Sequence, residues 1–240
     1  WTLKTSRDKV FETPNIFIAG GVGSFEPRKP PIDNVLKYEN KGINQYEIKS
    51  KDRIVSTTSS TTQVLALMLK VLDESFGINF AMMTNIHAYT SDQPLADSVR
   101  SDLRRSRSAV ENIIPNETWA PDYVSLLMPK FNNKISGMAM NVPVANGSCV
   151  DLTTEMKSMP TIEQVNEAFK QASEGELKNL IRYTDDPIVS SDAIGGGETM
   201  VFDSKATMIA SDKLLKSIAW FDNGWGFANR VLELSESYAK

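Results

Sequence analysis

The feature that most constrains this chain is a cluster of hydroxyl side chains standing directly before an apolar run. Ser56-Thr57-Thr58-Ser59-Ser60-Thr61-Thr62 leads into Val64 to Leu72, the longest apolar stretch of the sequence, broken only by Lys70. Short polar side chains that accept from exposed backbone N–H groups start helices. The segment therefore predicts a buried helix over Val64 to Phe76 with its N-caps in the hydroxyl cluster. A membrane span needs about 18 consecutive apolar residues, and no stretch reaches that length, so no membrane partner is expected.

On either side the texture differs. Before the cluster, Asn15-Ile16-Phe17-Ile18-Ala19 is β-prone and ends in Gly20-Gly21-Val22-Gly23, a strand and turn signal. Glu26-Pro27-Arg28-Lys29-Pro30-Pro31 reads as an extended connector, and residues 32 to 53 as loop or linker. Ile54-Val55 is a short predicted strand. After the helix, Ile78 to Tyr89 is β-prone and carries His87 near its end; 90 to 108 is polar and irregular, with Arg104, Arg105 and Arg107 clustered. Strands are predicted over Lys134 to Val144 and, after the Asn146-Gly147 turn, over Ser148 to Met156. Thr161-Ile162-Glu163-Gln164 is a capping box, followed by a helical face of Ile162, Val165, Phe169 and Ala172. Further β-prone runs lie at Thr199 to Asp203, Ala206 to Ser211 and Ser217 to Phe221, and a terminal helix at about Trp225 to Tyr238. Strands and helices mix without strict alternation, which predicts an α+β fold: a mixed sheet with helices on one face.

Composition closes off several classes. At 240 residues, 41% hydrophobic and 23% charged, the chain is that of a folded globular protein. Its net charge of −4, from 26 basic and 30 acidic residues, leaves no electrostatic footprint for nucleic acid. Cys149 and His87 are each the only residue of their kind. That excludes an intrachain disulfide and a zinc site of Cys and His ligands, so no metal is expected. The opening Trp1-Thr2-Leu3-Lys4 reads as the interior of a longer gene.

Ser60 stands at a helix start, where backbone N–H groups and the helix dipole favour negative charge. The same place lowers a thiol's pKa and offers donors to an oxyanion. His87 lies near the end of the following strand. A helix-start nucleophile with a strand-end base forms a covalent-catalysis pair. Taken alone, a cap serine and a polar histidine explain the two residues as well.

Ile54-Val55-Ser56 through Ser60-Thr61-Thr62, with His87-Ala88-Tyr89-Thr90, resembles the nucleophile and histidine motifs of glyceraldehyde-3-phosphate dehydrogenases. Arg104-Arg105-Ser106-Arg107, Asn112-Ile113-Ile114-Pro115 and Ala219-Trp220-Phe221-Asp222-Asn223-Gly224-Trp225 look like later segments of the same family, in the same order, from about residue 42 to 240. The resemblance implies a largely antiparallel mixed sheet and an NAD-dependent oxidation of a phosphorylated aldehyde that uses inorganic phosphate. It also implies a cytoplasmic homo-oligomer, a tetramer in that family. Ser60 would stand at the nucleophile position, His87 at the base, and Asn223 at the nicotinamide carboxamide. Ser59, Thr61 and Thr118 would surround the incoming phosphate, while Thr90 and Arg105 would serve the phosphate sites.

Several positions depart from the pattern. Ser60 replaces a cysteine, and an alcohol is not ionised by an imidazole of pKa ~6.5. Asn141 stands where an arginine bridges both phosphate sites, and an amide lacks the charged fork. Trp119 replaces a glycine beside Thr118, where its bulk is expected to fill part of the pocket; Asp92 lies near the substrate phosphate position, where the family tolerates an acid. Arg104, Arg105 and Arg107 either compensate or form a solvated basic loop or subunit salt bridges. No G-x-G-x-x-G opens a helix, so the dinucleotide platform is expected to be missing. Residues 1–42 instead resemble an internal piece of the thioredoxin-reductase-like ferredoxin–NADP reductases, through Asn15 to Gly23 and Glu26-Pro27-Arg28, with 43–240 as the dehydrogenase-like domain. Three readings follow: an impaired enzyme, a non-catalytic relative acting in assembly or regulation, and a gene-assembly chimera. A serine hydrolase built on Ser60 and His87 is disfavoured because no G-x-S-x-G elbow is present.

Overall fold

The computed structural model describes residues 2–4, 10–12 and 57–239. The strand expected at Asn15 to Ala19, the Gly20–Gly23 turn, the connector and linker, the Ile54-Val55 strand and the junction near Gly42 lie outside these residues. The chain divides into two compact units, Trp1–Val35 and Leu36–Lys240. In the first, β1 (Thr2–Lys4) pairs antiparallel with β2 (Val10–Glu12), a ribbon the sequence reading did not anticipate.

The second unit is built around α1 (Ser60–Phe76). Ser59 is its N-cap: the backbone N–H of Thr62 donates to Ser59 Oγ at 3.1 Å. Thr58, just ahead, has φ 56°, a left-handed conformation rare for a β-branched residue. That turn aims the chain sharply into the helix. Val64, Leu65, Met68, Leu69 and Leu72 are fully buried, and each contributes about 1.5–3 kcal/mol of burial. Gly77 ends the helix at φ 73°, its N–H donating to Asp73 O at 3.0 Å.

The helix lies on a sheet that alternates inward and outward side chains. Its strands are β3 (Ile78–Ala88), β4 (Ile114–Asn116), β5 (Ile135–Val142), β6 (Ser148–Met156), β7 (Ile181–Thr184), β8 (Met200–Asp203), β9 (Met208–Ala210) and β10 (Leu214–Phe221). Their order is β4-β5-β3-β6-β10-β8-β7, with β9 also on β10. The pairs β3/β5 and β7/β8 are parallel and the others antiparallel. This is the mixed, largely antiparallel α+β sheet expected.

Three helices cover one face. Besides α1 these are α2 (Ala120–Leu127) and α3 (Ile162–Glu174), the latter opened by the expected Thr161–Gln164 capping box. Val124 of α2 and Phe169 of α3 join Met83, Val150, Leu152 and Phe202 in one core. The Phe169 and Phe202 rings stack at 3.7 Å. A last helix, α4 (Trp225–Ala239), follows β10. Among the described residues no helix is long and apolar enough to cross a membrane.

The Asn146-Gly147 turn into β6 is present as expected. Gly147 has φ 85°, and a Cβ there would lie 2.4 Å from the Ser190 carbonyl oxygen. Both the conformation and the contact require glycine. Gly147→Ala is therefore expected to cost about 1–3 kcal/mol, read as a lower midpoint in urea unfolding. An unchanged midpoint would mean that this turn is not the constraint it looks.

Candidate active site

The start of α1 meets the end of β3. Asn85 of β3 and Thr61 of α1 are both buried, and Asn85 Nδ2 donates to Thr61 Oγ1 at 2.9 Å. Side chains on a strand alternate faces, so His87 projects to the same side as Asn85, two residues further along. Ser60, the first residue of α1, is half-buried one position before Thr61. Ser60 and His87 thus stand on two elements tied together by a buried hydrogen bond.

His87 has a defined tautomer. Its Nδ1 lies 2.6 Å from Ala88 O. A carbonyl only accepts, so Nδ1 carries the proton and Nε2 keeps its lone pair in the neutral ring. Burial lowers the imidazole pKa below its ordinary value, against the opposing pull of the Ala88 carbonyl and the Asp92 carboxylate. Near neutral pH the ring is uncharged and Nε2 is a base. Its edge meets the Phe221 ring at a centroid distance of 6.2 Å.

The cap residues are occupied locally. Ser59 Oγ, besides capping Thr62 N, shares a 2.8 Å hydrogen bond with Thr62 Oγ1. Gln63 Nε2 donates to Thr57 O at 3.1 Å, closing the turn. Thr118 Oγ1 accepts from Ala120 N at 3.3 Å, at the entry to α2. Trp119 is 46% exposed.

A polar chain runs from the loop after β3 to His87. The Thr90 hydroxyl donates to Asp92, and Asp92 also takes a hydrogen bond from the Arg105 guanidinium. Arg105 Nη1 donates to Asn116 Oδ1 at 3.3 Å, and Asn116 Nδ2 to Asn141 Oδ1 at 3.3 Å. Asn141, which lies opposite His87 in the β3/β5 register, donates to Ala88 O at 3.5 Å. Of the two readings of the basic cluster, Arg107 fits the solvated one: it pairs with Asp97 at 3.1 Å, both well exposed.

Beside the histidine, Ser148 Oγ accepts from Ala88 N at 3.0 Å and donates to Asn223 Oδ1 at 3.2 Å. Asn223 is thereby held by its oxygen, which leaves its NH₂ as the donor end. Beside it, Asp222 caps α4. One of its oxygens accepts from Gly224 N and Trp225 N at 2.8 Å each; the other accepts from Gly195 N at 2.9 Å and Asn146 Nδ2 at 3.1 Å. Burial alone would raise this carboxyl, but the backbone N–H groups of Gly195, Trp225 and Gly224 and the Asn146 amide hold it below the usual carboxylate range. Cys149 offers no alternative nucleophile. Burial, with Asp151 and Asp203 nearby, pushes its thiol up to about 12.

The sequence reading missed Asn85, Asn116, Ser148 and Asp222. Asn85 and Asp222 had a signal: the first shares His87's strand parity, and the second precedes a predicted helix as caps do. Asn116 and Ser148 had none, because their roles depend on partners 25 and 75 residues away.

Residues 59–223 match the family described as glyceraldehyde 3-phosphate dehydrogenase, C-terminal domain. The chain is similar to glyceraldehyde-3-phosphate dehydrogenase 2 of Streptomyces avermitilis, 42% identical over 238 residues, which covers 95% of this chain and 71% of the relative. It is 44% identical over 193 residues to the glyceraldehyde-3-phosphate dehydrogenase of Mycobacterium avium, covering 80% and 57% of the two chains. A third relative, from Borreliella burgdorferi, is 42% identical over 212 residues, covering 88% and 63%. The Streptomyces match extends into the residues ahead of 42. With the mixed sheet, the capped helix start and the histidine strand in place, the chain belongs to the glyceraldehyde-3-phosphate dehydrogenase family and carries its C-terminal catalytic domain.

Proposed function

We propose that this chain carries out, at a much reduced rate, the family's acyl chemistry on an aldehyde, with Ser60 as nucleophile and His87 Nε2 as base. The observation that carries this reading is the Asn85–Thr61 hydrogen bond, which ties the helix start to the histidine strand. Burial supports a neutral imidazole with its lone pair on Nε2. Attack by Ser60 Oγ on a carbonyl carbon forms a C–O bond while Nε2 takes the hydroxyl proton. The first backbone N–H groups of α1 would serve as donors to the oxyanion.

NAD is the cofactor the family implies. Asn223, with its oxygen fixed by Ser148 and its NH₂ outward, fits the carbonyl of a nicotinamide carboxamide. When bound, the nicotinamide supplies a hydride acceptor. The dehydrogenase-like domain begins near residue 42, and its ligands are inorganic phosphate and a phosphorylated aldehyde.

The weak point is Ser60. A thiol at a helix start beside an imidazole ionises near neutral pH, whereas an alcohol needs concerted removal of its proton. Each ~1.4 kcal/mol of barrier is a factor of ten, so a loss of several powers of ten is expected. Ser60→Cys should raise NADH formation from glyceraldehyde 3-phosphate, NAD and phosphate by about 10³-fold or more. An ordinary dehydrogenase rate in the native chain would sink the reading of impaired chemistry.

His87 can be followed directly, because it is the chain's single imidazole. NMR titration should show the Nδ1–H tautomer and a midpoint below ~6.5, the unperturbed value. Since the folded pKa is the lower one, protonation favours the unfolded chain. The associated stability is complete above ~6.5 and is lost as pH falls through the folded midpoint. A midpoint at or above ~6.5 would mean that burial does not dominate the imidazole's surroundings.

A homo-oligomer is proposed on a separate observation. The sheet face away from the helices carries Phe80, Met82 and Met138, all among the exposed large hydrophobics. The register puts Met82 opposite Ser136, and Thr84 opposite Met138, on one side. An apolar stripe of this kind is what subunit contacts cover. Met82→Glu should shift sedimentation toward the monomer; native monomers at micromolar concentration would remove this part of the proposal.

A further inference from the structure

Two asparagines in the chain are followed by glycine, Asn146 by Gly147 and Asn223 by Gly224. Such pairs are chemically vulnerable. A glycine has no side chain to shield its backbone nitrogen, and that nitrogen can close on the preceding asparagine's amide carbon to make a five-membered ring. Closure is fast only where the nitrogen and the side-chain carbonyl are already held together. Both asparagines are half-buried, so exposure does not separate them. Their hydrogen bonds do.

At the turn into β6, the Gly147 N–H donates to Asn146 Oδ1 at 2.8 Å. The nitrogen therefore rests against the carbonyl it would attack, and the contact polarises that carbonyl. The other end of the amide is anchored, with Nδ2 donating to Asp222 Oδ2 at 3.1 Å, so the side chain is kept in this arrangement. At Asn223 the same two groups are committed elsewhere. The Gly224 N–H donates to Asp222 Oδ1 at 2.8 Å, and Asn223 Oδ1 accepts from Ser148 Oγ at 3.2 Å. Nitrogen and carbonyl there are held by different partners.

We propose that Asn146 is a site of spontaneous deamidation, and that the carboxylate it leaves loosens the cap of α4. Solvent hydroxide takes the Gly147 N–H proton, and the nitrogen bonds to Asn146 Cγ. The Cγ–Nδ2 bond then breaks, and Nδ2 leaves as ammonia with a proton from water. Water opens the cyclic imide at either carbonyl, giving aspartate or isoaspartate. In net terms one amide and one water become one carboxylate and one ammonium ion, and no electrons are transferred. An anion then faces Asp222 Oδ2 where a donor stood, leaving the Gly195 N–H as the remaining donor there. Like charges at that range repel. Asp222 is also the cap that accepts from Gly224 N and Trp225 N, so the first turn of α4 loosens.

The test ages the full chain at mildly alkaline pH and follows both asparagines by peptide mapping, where a gain of about 1 Da marks conversion. In the folded chain Asn146 should convert at least about tenfold faster than Asn223. In urea, where neither glycine is held, the two rates should fall within about threefold of each other. Equal rates in the folded chain, an unmodified Asn146, or a ratio that unfolding leaves unchanged overturns the assignment. Amide exchange at Gly224 and Trp225 should be at least about tenfold faster in the aged chain. Asn146→Asp should show the same acceleration without ageing, and Asn146→Ser, which has no amide to lose, should age without it. Unchanged exchange in an aged chain whose Asn146 has converted overturns the effect on α4, whether or not the Asp variant folds.

Discussion

A single buried hydrogen bond, from the Asn85 amide to the Thr61 hydroxyl, sets where the two halves of the site meet. Neither group reaches water, so each depends on the other: a buried polar atom without a partner costs about 1–3 kcal/mol. The bond joins the second residue of α1 to a strand position two before His87. It therefore joins the two elements that carry Ser60 and His87, both packed on one core. The strained Thr58 backbone and the Gln63–Thr57 contact reinforce it from the helix side.

Much of the fold could be read from the residues because its elements announce themselves locally. The hydroxyl cluster and apolar run give α1, the Thr161–Gln164 box gives α3, and β6 begins and ends where the Asn-Gly turn and its alternation place it. The strands at 114–116 and 181–184 escaped notice because a strand of three or four residues carries too short a pattern. The helix at 120–127 escaped for a different reason: Trp119 and Pro121 at its entry mask a short apolar face whose only full burial is at Ala120, Pro121 and Val124.

The site was legible in its residue types but not in its connections. Ser60, His87, Asn223, Thr90 and Arg105 stand out by motif, yet what each side chain does depends on distant partners. Arg105 looked like a free positive charge awaiting an anion, whereas Asp92 already meets it. Asn141 looked like a simple loss of a guanidinium. Its amide instead bridges Asn116 to the Ala88 carbonyl that also sets the His87 tautomer. Charge arithmetic along the chain cannot reveal such neutralisation, because it is a property of the loop's path.

The burial of Cys149 reaches beyond catalysis. Oxidants such as peroxide attack thiolates, and sulfur climbs from sulfenic to sulfonic acid only where it is ionised and reachable. Here the one thiol is enclosed and protonated far above physiological pH, and the helix head carries an oxygen that has no such ladder. A domain assembled this way has no thiol through which an oxidant could act on its site.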